Sequence, residues 1–229
     1  MNFFDSLIGD VFSLCEKLPE RDFTLSEKLW PDTGYSQVIL QRDTAFELEG
    51  TGFNLVTSAP VQEGIAVIGD DLISIKKNRK FARVCLVQIE DEEDQQKAYN
   101  LIRKIEYVKY HHFPEGYMIR TSSRSHKEAV RVSKKAIGDG ISFQKIGSLL
   151  ISKYKENPAV KNVRVIYITA EDVDYKALEE LAKKNNSITE TLNHIMNSVK
   201  FDCDSCNLKP ICDEVEGMKE LHFKNASMG

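Results

Sequence analysis

Three of the five cysteines in this 229-residue chain, Cys203, Cys206 and Cys212, fall within ten positions in the pattern C-x2-C-x5-C. Two thiolates at i and i+3 can reach one metal centre when the backbone between them turns tightly. The third can return to it after a turn marked by Pro210. Thiolates suit zinc, copper(I) and the iron of iron–sulfur clusters. A closed zinc site or a cubane cluster takes four ligands. His222, after nine further residues, offers an imidazole as the fourth. Cys15 and Cys85 lie far off in apolar patterns and read as core. The bland alternative for the segment is ordinary thiols in a reducing compartment. A disulfide scaffold does not suit a long chain with few cysteines in odd number.

A second group is basic. Arg124, Lys127 and Arg131 are spaced i, i+3 and i+7, with Arg120 just before them. The spacing puts the three on one face of a helix expected to begin at residues 121–123 and run to about 137. Ser122 and Ser123 would leave N–H groups at its start, a place suited to phosphate. The functional reading is an anion site for a phosphorylated ligand such as a nucleotide or coenzyme A; the alternative is a solvated helix face. No glycine-rich phosphate loop is present, and neither a Ser–His–Asp set nor paired carboxylates stand out.

Composition narrows the class. The formal net charge of −4 argues against a general nucleic-acid binder. No apolar run reaches the length of a membrane span. The opening residues lack the basic region and long apolar stretch of an export signal, so a cytoplasmic protein is expected.

The elements that must position these groups follow from periodicity. Residues 3–17 read as a helix with Cys15 on its apolar stripe, and 19–35 as a connector. Short strands are expected at 36–41, 53–57, 65–68 and 72–75, the last two as a hairpin about Gly69. A longer one at 83–89 reads as buried on both faces. A helix follows the acidic run at 91–94 and ends near His111 and His112, which read as end-of-helix residues rather than ligands. A strand at 117–120, the basic helix, a helix from 143 to 154 and a strand at 160–169 come next. Two further helices, 170–184 and 187–199, are separated at Asn185 and Asn186. The order implies an α/β fold: a mixed sheet flanked by helices, with a C-terminal cysteine-rich segment. Three parts are expected: 1–35, an N-terminal helix and connector; 36–200, the α/β domain; and 201–229, the cysteine-rich tail.

Tyr117 to Arg120, Arg124, Arg131, the Gly138-Asp139-Gly140 turn and the Ile146-Gly147 helix, followed by the strand at 163–169 and then the cysteine segment, resemble the middle part of acetyl-CoA synthase, the β subunit of the carbon monoxide dehydrogenase/acetyl-CoA synthase complex. The likeness reaches back more weakly to Val67 and spans about residues 65–212. It implies a domain that contacts coenzyme A through arginines, with Arg120, Arg124 and Arg131 in those positions. It further implies that Cys203, Cys206 and Cys212 hold a cubane [4Fe-4S] cluster, bridged in the family to nickel. The sequence also departs from the pattern. The gap between the second and third cysteines is shorter, and His222 stands about where the fourth cysteine would be. The Cys-Gly-Cys motif that holds the outer nickel is absent, and the single tryptophan, Trp30, lies away from the arginines. The resemblance therefore implies a subunit or accessory factor of anaerobic one-carbon metabolism rather than a complete synthase. Its partners would be carbon monoxide dehydrogenase, a corrinoid protein, a redox protein or further copies of itself. The other reading is a binding module with a structural Cys3His zinc site.

Overall fold

Apolar residues at three- and four-residue spacing make the first helix, α1 (Asp5–Cys15), which buries Leu7, Val11 and Cys15. The computed structural model describes residues 3–90, 94–122, 127–196, 208–215 and 218. After α1 comes a four-residue strand, β1 (Glu20–Phe23), in what the sequence marks only as connector. Its charged, exposed residues carry no alternation that could have betrayed it. The strand expected at 36–41 does not form: Val38 and Leu40 are exposed, and the chain enters a 3-10 turn at Gln41–Asp43.

The strand β2 (Thr44–Thr57) is 14 residues long, far more than the stretch expected at 53–57. Gly50 and Gly52 obscure its first part, and both are required by close packing. A Cβ on Gly50 would strike the Phe81 carbonyl, and one on Gly52 the Glu128 carboxylate. The strand β3 (Gly64–Ile68) is wholly buried. The hairpin expected after it is not made. Leu72–Ser74 is a 3-10 turn capped by the Asp71 carboxylate, and β3 pairs with β1 and a later strand instead. The strand β4 (Arg79–Ile89) is buried almost throughout, as its apolar run indicates.

Asp94 caps the helix α2 (Gln95–Val108), accepting from the amides of Gln96 and Lys97. The expected basic helix is a β-hairpin: β5 (Tyr117–Ser122) pairs antiparallel with β6 (Lys127–Ser133). The period from 127 onward is two, with Glu128, Val130 and Val132 buried and their neighbours outward. β-Branched Val130 and Val132 outweigh the Ser and Thr residues that imitate a helix cap. Ser133 caps instead the short α3 (Lys134–Gly138). Ser142 caps α4 (Phe143–Lys155), and β7 (Val160–Ile168) follows. The two helices expected next are one, α5 (Tyr175–Met196), since Leu178, Ala182, Asn185, Ile188, Leu192 and Ile195 keep helical spacing across the Asn pair. The last described helix is α6 (Lys209–Glu214), with Pro210 in its first turn.

The strands form one mixed sheet in the order β1-β3-β7-β4-β2-β6-β5. The pairs β3–β7 and β2–β4 are parallel and the others antiparallel. On one face α4 packs over β7 and β3, where Gly147 brings the helix against Ile65 and Tyr167. The other face carries α5, laid over β2 and β4, with α1 beside it. α2 touches β2 and both of the long helices. The α/β class and flanked mixed sheet are those expected from the sequence.

Candidate metal segment and buried arginine centre

Of the residues expected to bind metal, Cys212 is described; Cys203, Cys206 and His222 lie outside the described residues. Cys212 sits on α6, half-buried, with its neighbour Ile211 also against the core. α6 is fastened to α5: Leu208 and Val215 are buried at its two ends, and Lys184 meets Glu214 at 2.6 Å. Among the described residues no group of His, Cys, Asp and Glu is arranged to hold a metal ion. Cys15 and Cys85 are core residues, as their patterns indicate, with 8% and 0% exposure. Burial, helped by Glu20, pushes the Cys15 thiol up to about 11. Burial likewise raises the Cys85 thiol, against the pull of Arg83. Cys85 also shares the α4 side of the sheet with Arg83, away from α5 and α6. The donors left to the tail are three thiols and an imidazole, chemistry that fits either an iron–sulfur cluster or zinc.

The basic residues are distributed over the hairpin and not along a helix. Arg120 and Lys127 are exposed, on β5 and at the start of β6, and Arg124 lies outside the described residues. Register places Arg120 opposite Ala129, and Arg131 opposite Met118, all on the sheet face away from Glu128. Arg131 is committed within the protein. Its Nε and Nη2 donate to Glu47 Oε1 at 2.8 and 2.6 Å, and its Nη1 to the Ile39 carbonyl at 2.8 Å. It therefore straps the 36–41 segment to the sheet and has little left for a phosphate.

On the α4 side of the sheet lies a polar centre that the spacing of residues does not reveal. Arg83, 4% exposed, is held by Glu128, 1% exposed. Nε and Nη2 donate to the two carboxylate oxygens at 2.9 and 2.5 Å, a bidentate fork across β4 and β6. The remaining Nη1 donates to Cys85 Sγ at 3.0 Å. Tyr154 of α4 donates to Asn54 Oδ1 at 2.7 Å in the same layer. Burial works against the charge on Arg83, but Glu128 and then Cys85 more than reverse this, so the guanidinium is raised well above its ordinary value. Burial raises the Tyr154, Tyr117 and Tyr167 phenols as well. Beside them His112 is buried, with neither ring nitrogen paired among the described residues. Burial and then Arg83 lower it to about 3, so it is neutral at physiological pH. The one sequence signal for this centre is an arginine inside the apolar run Phe81 to Val87; the register of the sheet then sets it opposite Gly52.

The sequence profile of the CO dehydrogenase/acetyl-CoA synthase complex beta subunit matches residues 35–173, more than half of the chain. The match begins ahead of β2, takes in all of the sheet but β1, and ends ahead of α5. Arg83, Glu128 and Gly52 fall inside it and the cysteine segment outside it. No curated protein matches the chain at a significant level. The chain belongs to the CO dehydrogenase/acetyl-CoA synthase complex beta subunit family.

Proposed function

We propose that the protein is an iron–sulfur subunit or accessory factor of anaerobic one-carbon and carbon monoxide metabolism, cytoplasmic, and not a complete acetyl-CoA synthase. The observation that carries this reading is the C-x2-C-x5-C trio at Cys203, Cys206 and Cys212 in a chain of this family. The three thiolates would hold iron, with His222, an exogenous ligand or a partner's cysteine as the fourth donor. When bound, a [4Fe-4S] cluster supplies one-electron transfer and, with one iron lacking a cysteine, a place for a further ligand or nickel. Residues 201–229 would act as the cluster-bearing tail of an α/β domain at 36–200, with 1–35 as its N-terminal addition. α6 would orient Cys212 through its fastening to α5.

The protein's own groups limit what a coenzyme could touch. With Arg131 tied to Glu47, coenzyme A contacts would fall to Arg120 and Lys127 on the hairpin, together with Arg124. The partner would be carbon monoxide dehydrogenase, a corrinoid protein or a redox protein, or a second copy of this chain.

A structural Cys3His zinc site is the second reading. Its support is the packing of α6, since a helix pinned to α5 by Leu208 and Val215 is what a stapling metal would hold in place. Anaerobic purification with quantification of iron, sulfide, nickel and zinc separates the two. Iron with sulfide and a broad visible absorption is the expected result. One zinc without sulfide would establish the second reading, and a colourless metal-free anaerobic preparation would remove both.

A further inference from the structure

The seven-stranded sheet ends at β1 on one side and at β5 on the other. β1 is a guarded edge: four residues long, with charges of both signs at Glu20, Arg21 and Asp22. β5 lacks such guards. It runs six residues, holds neither proline nor bulge, and carries a single charge, Arg120.

The ladder fixes which backbone groups of β5 face outward. The Ser133 N–H donates to the Gly116 carbonyl at 2.9 Å, which makes these two a hydrogen-bonded pair. Alternation along the register then gives the same status to Met118 with Arg131, Arg120 with Ala129, and Ser122 with Lys127. Tyr117, Ile119 and Thr121 therefore turn their backbone groups away from β6. The Tyr117 N–H closes a turn onto the Pro114 carbonyl at 3.1 Å. The outward groups of Ile119 and Thr121 have no backbone partner among the described residues.

Charge selects the occupant of this edge. Arg120 is exposed, and so is Lys127 on the same face, one strand in. Neither joins an ion pair among the described residues. Glu128 and Arg131 of β6 are consumed by Arg83 and Glu47. Glu49 shares the face of Arg120 but stands on β2, two strands in from the edge. Two copies of β5 laid antiparallel about Ile119 would set their Arg120 side chains diagonal to each other, like charges at close quarters. A carboxylate opposite Arg120 is favoured instead, and there the added strand makes the pair type whose side chains stand closest.

The geometry points to the edge of β5 as the docking line for an extended, acidic segment of a partner protein, which joins the sheet as an eighth strand. Ile119 and Thr121 exchange backbone hydrogen bonds with it. Its acidic side chains lie on the face of Arg120 and Lys127, and its alternate, uncharged side chains lie beside Ile119 and Thr121. The assignment is independent of any metal on the cysteine segment. A coenzyme would use the same cations but no pattern of strand amides.

Titration of the full-length, ¹⁵N-labelled protein with an alternating valine–glutamate decapeptide tests it. The backbone amide signals of Ile119 and Thr121 are expected to shift, saturate and become protected from exchange. The valine–lysine counterpart should bind about fivefold more weakly, and Arg120→Glu should reverse that order. Valines opposite Ile119 and Thr121 must donate their N–H groups to β5, whereas the glutamate N–H groups face away. N-methylation of the valine amides should therefore abolish binding, and N-methylation of the glutamate amides should leave it. Ile119→Pro removes an outward N–H that the ladder does not use, and should abolish binding with the unfolding midpoint little changed. Absence of saturable binding, equal affinity for the lysine peptide, indifference to valine N-methylation, or shifts that map to β1 would each overturn the assignment. Dimerisation through β5 at rising protein concentration would give the edge to a second copy and overturn it as well.

Discussion

Arg83 is a charge placed where the sheet is driest, and its partner makes that tolerable. Removing one member of a buried pair leaves the other uncompensated and typically costs about 3–5 kcal/mol. Arg83→Met and Glu128→Gln should each lower stability by about that much, read from urea unfolding. The double variant Arg83→Met with Glu128→Leu should recover a large part of the loss, since apolar replacements remove both stranded groups together. If each single variant unfolds like the parent, the pair is not stabilising in the sense argued. His112 gives a pH signature. Its folded value of about 3 lies below the ordinary 6.5, so the unfolded chain binds the extra proton between these values. Stability is then complete above pH 6.5 and falls as pH drops toward 3, by up to about 1.4 kcal/mol per pH unit. His112→Phe should flatten that acid limb, checked by urea midpoints between pH 7.5 and 5. An unchanged slope would place the titration elsewhere.

At the level of elements, Gly147 shows two effects in competition. Gly147→Ala within α4 gains about 1 kcal/mol of helix propensity. The new Cβ would lie 2.6 Å from Ile65 Cγ1, and overpacking of this kind costs about 1–3 kcal/mol. The net expectation is a loss of about 1 kcal/mol, measurable as a lower thermal midpoint; a gain would mean that β3 yields easily. Elements were legible in the sequence where one face is apolar over many residues, as in α1, α2, α4, β4 and β7. They were not legible where another requirement masked the period. Gly50 and Gly52 hid the first part of β2, because the strand needs close approach there rather than side chains. The Ser and Thr residues at 121–123 imitated a cap and hid a hairpin whose Val130 and Val132 were already in view. The Asn pair at 185 and 186 imitated a break in α5. The buried arginine centre was invisible for a further reason: its members come from β2, β4, β6 and α4, and only pairing brings them together.

For the whole molecule, the core among the described residues is built from the sheet and the helices over it, with Cys212 packed against its margin. Cys203→Ser with Cys206→Ser should therefore abolish iron and sulfide content in an anaerobic preparation while moving the thermal midpoint of the α/β fold little. A midpoint falling in step with the lost metal would instead favour the structural zinc site, because structural zinc contributes directly to folding. The family match and the cysteine segment occupy separate stretches of the chain, which suits a scaffold that carries its redox group as an attachment.

β2 meets β4 along Leu48 to Thr57 but β6 only along Thr44 to Thr51, so the two ladders overlap for just four residues. That lap joint divides the sheet into a broad slab and a narrow flap. The flap can come loose by breaking the β2–β6 ladder together with the Arg83–Glu128 and Arg131–Glu47 pairs that cross it, leaving every rung of the slab intact. Amide protons along β5 and β6 should then exchange with solvent long before those of β4 and β7, and the molecule would be two-tiered in its breathing although it has a single sheet.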